Sequence, residues 1–227
     1  MPDAIRKKEM CEMRVRKVIT RSGKRIRVKF PSTKLNRMVY CESPLERDAV
    51  YHFEYHPEVE SYQEQPSLEY YYDAAGVQHR YYPDFRIDFK DGRVLLVEVK
   101  PMKYLAKKKV RDQLKFVAAR LAEQNRPFRV MTELEIRRDP LFSNLKKLNK
   151  SCKKAAALVP TSVLSARLTG GPTWLLGKLN DMMEGPAKVL QLIRSNHLQV
   201  DLEAPLSADA KVWLPNTKGE THGSFFL

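Results

Sequence analysis

Residues 80–100 read RYYPDFRIDFKDGRVLLVEVK, and this pattern predicts two neighbouring β-strands joined by a tight turn. In the first half of the stretch apolar and polar residues alternate, so Phe85 and Ile87 face one side of a strand and Asp84 faces the other. The second half, residues 94–99, is almost continuously apolar, as in an interior strand that is covered on both faces. The stretch therefore predicts the centre of a sheet.

Three charged side chains interrupt or border these strands. Glu98 lies within the apolar run and Lys100 ends it, and side chains two residues apart on a strand leave the same face. A two-residue turn would place Asp84 opposite Val99. A three-residue loop that ends in a left-handed Gly92 places Asp84 opposite Glu98. We favour the three-residue loop because it also pairs apolar residues across the strands: Phe85 with Val97 and Ile87 with Leu95.

The favoured register brings two carboxylates within one cross-strand spacing, about 5 Å between their Cβ atoms. Like charges at this distance on a buried strand pair repel each other unless a cation lies between them. Hard divalent ions such as Mg²⁺ prefer oxygen ligands of this kind. Lys100 is then placed to orient or deprotonate a water molecule, or to neutralise the charge that develops on a phosphate.

In these residues the sequence resembles the PD-(D/E)xK nuclease superfamily. Pro83-Asp84 corresponds to the PD, and Glu98-Val99-Lys100 to the ExK, with thirteen residues between the two carboxylates. A surface hairpin with solvated charges, or a structural salt bridge between Glu98 and Lys100, would explain the same residues. The site interpretation is favoured because charged groups in an otherwise apolar strand are costly unless they are neutralised.

Composition indicates the class of partner. The chain has 227 residues, enough for one large domain or two small ones, and a formal net charge of +14 at pH 7. This excess of positive charge predicts a polyanionic partner, most simply nucleic acid. The three cysteines have no CxxC spacing, and the sequence has neither a signal-peptide pattern nor a membrane-length apolar run. We therefore expect a cytoplasmic protein with no membrane segment.

The first 40 residues are strongly basic, with 13 Lys or Arg against 3 Asp or Glu. Residues 25–30 predict a strand with one basic face, and residues 31–41 an irregular crossing to the first helix. The alternatives are a disordered solubilising arm and an arm that contacts the DNA backbone; the second is favoured because phosphates can displace the counterions of uncompensated charges. The predicted DNA-binding residues are Arg21, Lys24, Arg25, Arg27, Lys29, Lys103, Lys107 and Lys108.

A helix is predicted to begin at residues 43–46, with Ser43 as N-cap, Pro44 at the first helical position and Glu46 at the third. Pro57 ends it. The capping box explains Glu46 by itself. The superfamily resemblance implies a second role, since these nucleases commonly carry a metal-binding Glu on the first helix.

Two longer segments resemble one family of nucleases, the TnsA family of transposon-end endonucleases. Residues 43–66, SPLERDAVYHFEYHPEVESYQEQP, are similar to its first helix and following strand, and the basic residues 16–48 resemble its N-terminal region. The resemblance implies hydrolysis of the non-transferred strand at the 5′ ends of a cut-and-paste transposon. It implies three partners: double-stranded DNA at the transposon ends, a TnsB-type DDE transposase and a TnsC-type AAA+ ATPase regulator. The expected location is a bacterial nucleoid during transposition.

The same resemblance implies the roles of the site residues. Glu46, Asp84 and Glu98 would bind one or two Mg²⁺ ions, for which Mn²⁺ can substitute. Lys100 would orient the water and neutralise the phosphate. Two other functions stay open: a stand-alone restriction or junction-resolving nuclease, and a non-catalytic DNA-binding docking module. Whether the transposon is CRISPR-associated is open as well.

The first 140 residues are predicted to form a restriction-endonuclease-like α/β domain with an αβββαβ core. Residues 59–72, broken at Gln65-Pro66, are expected to join the strands around Asp84 and Glu98 in an antiparallel meander. Apolar residues at helical spacing over 110–121 predict a helix that packs on the sheet. Residues 128–131 predict a fourth strand that returns parallel.

Residues 141–227 are predicted to form a winged-helix-like domain. The pattern predicts helices at 158–168, 174–183 and 187–195 and a hairpin that pairs 198–202 with 211–214. Such a fold commonly binds DNA. Since few basic residues follow Lys154, docking on a partner protein is an equal expectation.

Overall fold

The computed structural model describes residues 28–151, 173–183 and 185–215. The chain divides into two compact units, Met1–Ile136 and Arg137–Leu227, whereas the sequence analysis places the boundary after residue 140. Helices and strands alternate in both units, so the fold is mixed α/β, consistent with the predicted restriction-endonuclease-like class. Within the described ranges, no helix combines the length and apolar character that a membrane span needs.

In chain order, the strands of the first unit are β1 (Val28–Ser32), β2 (Arg37–Cys41), β3 (Val59–Glu64), β4 (Glu69–Tyr72), β5 (Gln78–Tyr81), β6 (Phe85–Phe89), β7 (Val94–Val99) and β8 (Phe128–Met131). Its helices are α1 (Pro44–Tyr55), α2 (Met102–Leu105), α3 (Lys108–Glu123) and α4 (Glu133–Ile136). A four-stranded sheet in the order β3-β6-β7-β8 forms the centre. Strands β3, β6 and β7 are antiparallel neighbours, and β8 returns parallel to β7 after α3, which confirms the predicted strand directions.

The turn between β6 and β7 contains the predicted three-residue loop. The Phe89 N–H donates to the Arg93 carbonyl oxygen at 2.9 Å, and Gly92 has a φ of +86°, in the left-handed region. The apolar pairs across the two strands are the predicted ones, Phe85 with Val97 and Ile87 with Leu95. The register that the site requires is therefore confirmed.

Helix α1 begins as predicted. Its N-cap, Ser43, accepts a hydrogen bond from the Glu46 N–H through its hydroxyl, and Pro44 is the first helical residue. The buried His52 lies on the same helix, with Nε2 2.8 Å from the Ile136 carbonyl oxygen. This contact accounts for the histidine as a satisfied core residue.

Two hairpins differ from the prediction. The irregular crossing predicted at 31–41 is wrong, because β1 and β2 pair antiparallel around a turn in which Asn36 adopts a φ of +50°. Segment 59–72 is also not one continuous strand of the meander. Strands β4 and β5 pair with each other and not with β3, because Gln65, at a φ of +46°, turns the chain away at the end of β3.

A buried carboxylate ties the β1–β2 hairpin to the core. Glu54 on α1 accepts hydrogen bonds of 2.7–3.0 Å from four donors, the hydroxyls of Ser32 and Tyr62 and the N–H groups of Thr33 and Lys34. The Lys34 ammonium donates to three carbonyl oxygens at and beyond the C-terminal end of α1, 2.7–2.9 Å away. The hairpin turn thus satisfies both a buried charge and a helix end.

Glu54→Ala should lower the free energy of unfolding by about 3 kcal/mol, because it leaves several buried donors without an acceptor. Urea unfolding of the full chain, followed by far-UV circular dichroism, measures this loss. The control is Glu60→Ala, an exposed glutamate on β3, which should change the stability by less than about 0.5 kcal/mol. Equal stability of the two variants would show that the Glu54 network is dispensable.

The second unit contains helices α5 (Leu141–Lys150), α6 (Leu176–Met182) and α7 (Pro186–Arg194), and strands β9 (Thr173–Leu175), β10 (Gln199–Val200) and β11 (Lys211–Trp213). The strands form one sheet in the order β10-β11-β9. The predicted last helix and hairpin are present as α7 and β10–β11. The helix predicted to start at 174 begins later, because residues 173–175 pair with β11, and the helix predicted at 158–168 lies outside the described residues.

Candidate active site

Asp84 lies in the bend that leads into β6. Its carboxylate oxygen Oδ2 accepts a hydrogen bond from the Val99 N–H at 2.7 Å. Its carbonyl oxygen accepts from the Gln65 N–H at 2.8 Å. These two bonds fix Asp84 between the end of β3 and the end of β7.

Glu98 lies in β7 and is only 4% exposed. The Tyr81 hydroxyl donates to its Oε2 at 2.6 Å, and the Lys100 ammonium lies 2.6 Å from its Oε1. Each oxygen of this carboxylate is therefore in contact with a donor. The structure brings Glu98 and Lys100 together on one face, as the strand period predicts.

Glu46 takes part in the cap of α1. Its Oε2 accepts from the Glu42 N–H at 2.7 Å, and its Oε1 accepts from the Ser43 hydroxyl at 2.9 Å. The capping role that the sequence allows is thus present. The same side chain also lies close enough to Asp84 to affect its protonation.

The three carboxylates act on one another electrostatically. Burial raises the pKa of Asp84 well above its usual value, and the charges of Glu98 and Glu46 raise it further. Burial also raises the pKa of Glu46. Burial alone would lower the pKa of Lys100, but the three carboxylates outweigh this effect, so its pKa is raised and the ammonium form is favoured.

Glu46, Asp84 and Glu98 could bind a divalent cation only if their oxygen atoms were available to it. Within the described residues, no group of three or more His, Cys, Asp or Glu side chains is arranged to hold a metal ion. Glu46 is engaged in the helix cap and Glu98 is engaged by Tyr81 and Lys100. In chemistry the set fits Mg²⁺, because the donors are all oxygens and a cation would relieve the repulsion that raises the Asp84 pKa. Ion binding therefore requires Glu46 and Glu98 to exchange partners.

Some of the predicted DNA-binding residues lie in the described part of the chain and others do not. Lys29 is exposed on β1, next to the buried Phe30, so the described part of the arm has the predicted alternation. Lys108 is exposed and lies 3.0 Å from Asp112 on α3. The rest of the arm lies outside the described residues, namely Arg21, Lys24, Arg25 and Arg27.

Lys103 and Lys107 form a cationic cluster around an aromatic ring. Their ammonium groups lie 5.2 and 5.3 Å from the centre of the Tyr104 ring, and all three residues are exposed. The cluster follows Lys100 directly in the chain. A phosphate at the carboxylate site would therefore have further positive charge nearby.

The β4–β5 hairpin has one buried and one exposed face. Tyr71 and Tyr81 are buried in a core cluster that includes residues of α3. Tyr70 and Tyr72 are 43% and 50% exposed, and Arg80, the cross-strand partner of Tyr70, is exposed as well. The hairpin therefore presents aromatic rings and a guanidinium to solvent.

Sequence reasoning missed the contact between Tyr81 and Glu98. Uninterrupted alternation over residues 81–89 would put Tyr81 on the face opposite Asp84. The chain instead leaves strand geometry at residues 82–84, between β5 and β6, and this break brings the Tyr81 hydroxyl to the carboxylates. The sequence signal for this break is Pro83, which lies between Tyr81 and Asp84.

Asp84→Asn should stabilise the folded chain by about 1 kcal/mol at neutral pH without divalent ions, because it removes the repulsion of Asp84 by the Glu98 and Glu46 carboxylates. The pKa of Asp84 is raised on folding, so the folded protein binds this proton more tightly than the unfolded chain. The stability cost of the charge is present near neutral pH and is removed as the pH falls through the folded pKa. The advantage of the variant should therefore shrink in acid.

Urea unfolding of both proteins in EDTA, at several pH values, measures this advantage. The matched control is Asp88→Asn, which removes a carboxylate that is paired with Arg86 on the same strand. It should give no stabilisation. A destabilised Asp84→Asn protein at neutral pH would mean that the Asp84 charge is compensated within the folded chain.

One comparison with known proteins bears on the first unit. Residues 56–133 match the family described as TnsA-like endonuclease N terminal. The matched range contains Asp84, Glu98 and Lys100 and begins after Glu46. The chain has no significant match among curated proteins. The family match confirms the resemblance to the TnsA family.

Proposed function

Since residues 56–133 belong to the TnsA-like endonuclease N-terminal family, we propose that the protein is a metal-dependent DNA endonuclease of transposition. The observation that carries the proposal is the cluster inside the matched range. Asp84 is held against β7 by Val99, and the Glu98 carboxylate lies beside the Lys100 ammonium. Acidic oxygens with an adjacent cation are the groups that phosphodiester hydrolysis uses.

The specific reaction that we propose is hydrolysis of the non-transferred strand at the 5′ ends of a cut-and-paste transposon. A TnsB-type DDE transposase acts on the 3′ ends, and a TnsC-type AAA+ ATPase regulates the complex. The resemblance of residues 16–48 and 43–66 to the TnsA family supports this assignment. The net charge of +14 supports double-stranded DNA as the substrate.

In the proposed mechanism, Glu46, Asp84 and Glu98 would hold one or two Mg²⁺ ions, for which Mn²⁺ could substitute. When bound there, Mg²⁺ would supply Lewis-acid polarisation of the phosphate and would lower the pKa of a nearby water molecule. The Val99 N–H keeps Asp84 in place, and the Tyr81 hydroxyl orients Glu98. Lys100 favours its ammonium form, so it neutralises charge on the phosphate and does not act as the base. The products carry a 3′-hydroxyl and a 5′-phosphate.

In a reaction reconstituted with the transposase and its regulator, Asp84→Asn, Glu98→Gln, Lys100→Ala and Glu46→Ala should each reduce 5′-end cleavage by at least about 100-fold. DNA binding should remain within about threefold of wild type, because the charge lost is small beside the total. EDTA should abolish cleavage, and Mg²⁺ should restore it. The control is Asp88→Asn, which should cleave like wild type.

The outcomes separate the rival functions. Robust cleavage by the purified chain without partners favours a stand-alone nuclease. Full activity of Asp84→Asn or Lys100→Ala in the reconstituted reaction favours a non-catalytic module.

We propose that Lys103 and Lys107 contact the DNA backbone beside the site, and that Tyr70, Tyr72 and Arg80 contact sugars or unpaired bases. The support is that both groups are exposed and that each is close in the chain to a residue that contacts Glu98, Lys100 in one case and Tyr81 in the other. The sequence places Lys29, Lys108 and the basic arm in the same role.

Replacing Lys103 and Lys107 by Gln together should make the slope of log K against log[salt] shallower by about 1 to 2, because about two phosphate contacts are lost. Fluorescence anisotropy of a labelled duplex, titrated with the Asp84→Asn protein, measures binding without cleavage. Lys90→Gln is the control, since Lys90 is exposed at the opposite end of the β6–β7 pair. An unchanged slope would exclude the Lys103–Lys107 cluster from the interface.

We propose a winged-helix-like docking role for the second unit. The support is the three helices and the three-stranded sheet among its described residues, and the balanced charge of the part that follows Lys154. Six Lys or Arg and six Asp or Glu follow Lys154, so this part of the chain lacks the excess charge that DNA binding uses.

A further inference from the structure

Gln65 is held in an unfavourable backbone conformation at the edge of the candidate site. Its φ is +46°, in the left-handed region that residues other than glycine rarely adopt. A conformation of this kind costs about 1 kcal/mol or more, and such residues cluster at functional sites. The Gln65 N–H donates to the Asp84 carbonyl oxygen at 2.8 Å, so the left-handed bend is part of what positions Asp84.

The Gln65 side chain is buried, and one of its two polar atoms lacks a hydrogen-bond partner among the described residues. The residue is 7% exposed, and its Nε2 donates to the Glu42 Oε1 at 3.0 Å. Its Oε1 is buried and has no hydrogen-bond partner among the described residues. Glu42 in turn donates its N–H to the Glu46 carboxylate at 2.7 Å. Gln65 is therefore linked to Asp84 through its main chain and to Glu46 through Glu42.

An unsatisfied buried oxygen costs about 1–3 kcal/mol, so a donor is expected to bind there. DNA phosphates offer no hydrogen-bond donor, whereas the water that cleaves a phosphodiester has two protons to direct. A carboxamide oxygen accepts a hydrogen bond without becoming protonated. It can therefore orient a water molecule next to carboxylates without adding a fourth negative charge.

Building on the proposed nuclease function, we propose that the Gln65 side-chain oxygen accepts a hydrogen bond from the water that attacks the scissile phosphodiester. The water oxygen bonds to phosphorus as the bond from phosphorus to the 3′ oxygen breaks. One proton of the water ends on the 3′ oxygen and the other leaves from the new 5′-phosphate. Gln65 exchanges no proton in this step and acts as a catalytic residue through orientation.

Two substitutions separate this role from a structural one. Gln65→Gly removes the side chain and relieves the left-handed backbone, so the free energy of unfolding should stay within about 1 kcal/mol of wild type. Gln65→Met keeps the volume and the backbone strain but lacks the amide. Both should lower the single-turnover rate of 5′-end cleavage by about 10- to 100-fold, with the Kd for DNA within about twofold.

The measurements are single-turnover cleavage in the reconstituted reaction, anisotropy for binding and urea unfolding for stability. Equal rate losses in Gln65→Gly and Gln65→Met, together with wild-type cleavage by Glu42→Ala, which removes the acceptor of the Gln65 Nε2 bond and leaves Oε1 in place, support the proposal. An equal loss in Glu42→Ala would assign the effect to the link between Gln65 and Glu46 and overturn it. Cleavage by Gln65→Gly at the wild-type rate would overturn it, as would rate losses that follow stability. If wild type cleaves and Asp84→Asn does not, the nuclease function stands whatever Gln65 does. If wild type does not cleave, both proposals fall.

Discussion

The antiparallel pairing of β6 with β7 is the constraint on which the candidate site depends. The left-handed Gly92 closes the three-residue loop and fixes the register. The hydrogen bond from the Val99 N–H to Asp84 extends the contact between the two strands beyond the last paired residues. A slip of one residue would turn every side chain of one strand to the other face. Asp84 and Glu98 would then separate, and the two apolar pairs between the strands would be lost.

Carboxylates in the described part of the first unit differ in how their charge is compensated, and this contrast sets Asp84 apart. Glu54 accepts four hydrogen bonds, and Glu64 accepts one hydrogen bond each from Nη1 and Nη2 of Arg37, at 2.9 and 2.7 Å. These groups are satisfied and connect the β1–β2 hairpin to α1 and β3. Asp84 instead has neighbouring carboxylates that raise its pKa. This uncompensated repulsion is the feature that supports the cation site we propose.

The sequence predicts the parts of this structure that short-range periodicity controls. The Gly92 loop, the apolar alternation and the Ser43 cap each depend on a few adjacent residues, and the structure confirms them. The left-handed turns at Asn36 and Gln65 have weak local signals, because residues other than glycine rarely adopt them. These turns create the hairpins that the periodicity does not reveal. The contact of Tyr81 with Glu98 depends on one of those hairpins, so no local pattern could predict it.

The Glu46 carboxylate accepts two hydrogen bonds in the helix cap, and the structure of the cap makes this compatible with the metal-binding role that we propose. The helix end is satisfied mainly by the Ser43 hydroxyl, which accepts from the Glu46 N–H and does not need the Glu46 carboxylate for that bond. Releasing the carboxylate breaks its hydrogen bonds from the Glu42 N–H and the Ser43 hydroxyl, which costs about 2 kcal/mol. Neutralising mutually repelling carboxylates offsets a cost of this size. The capping box is therefore consistent with the ligand role that we propose for Glu46.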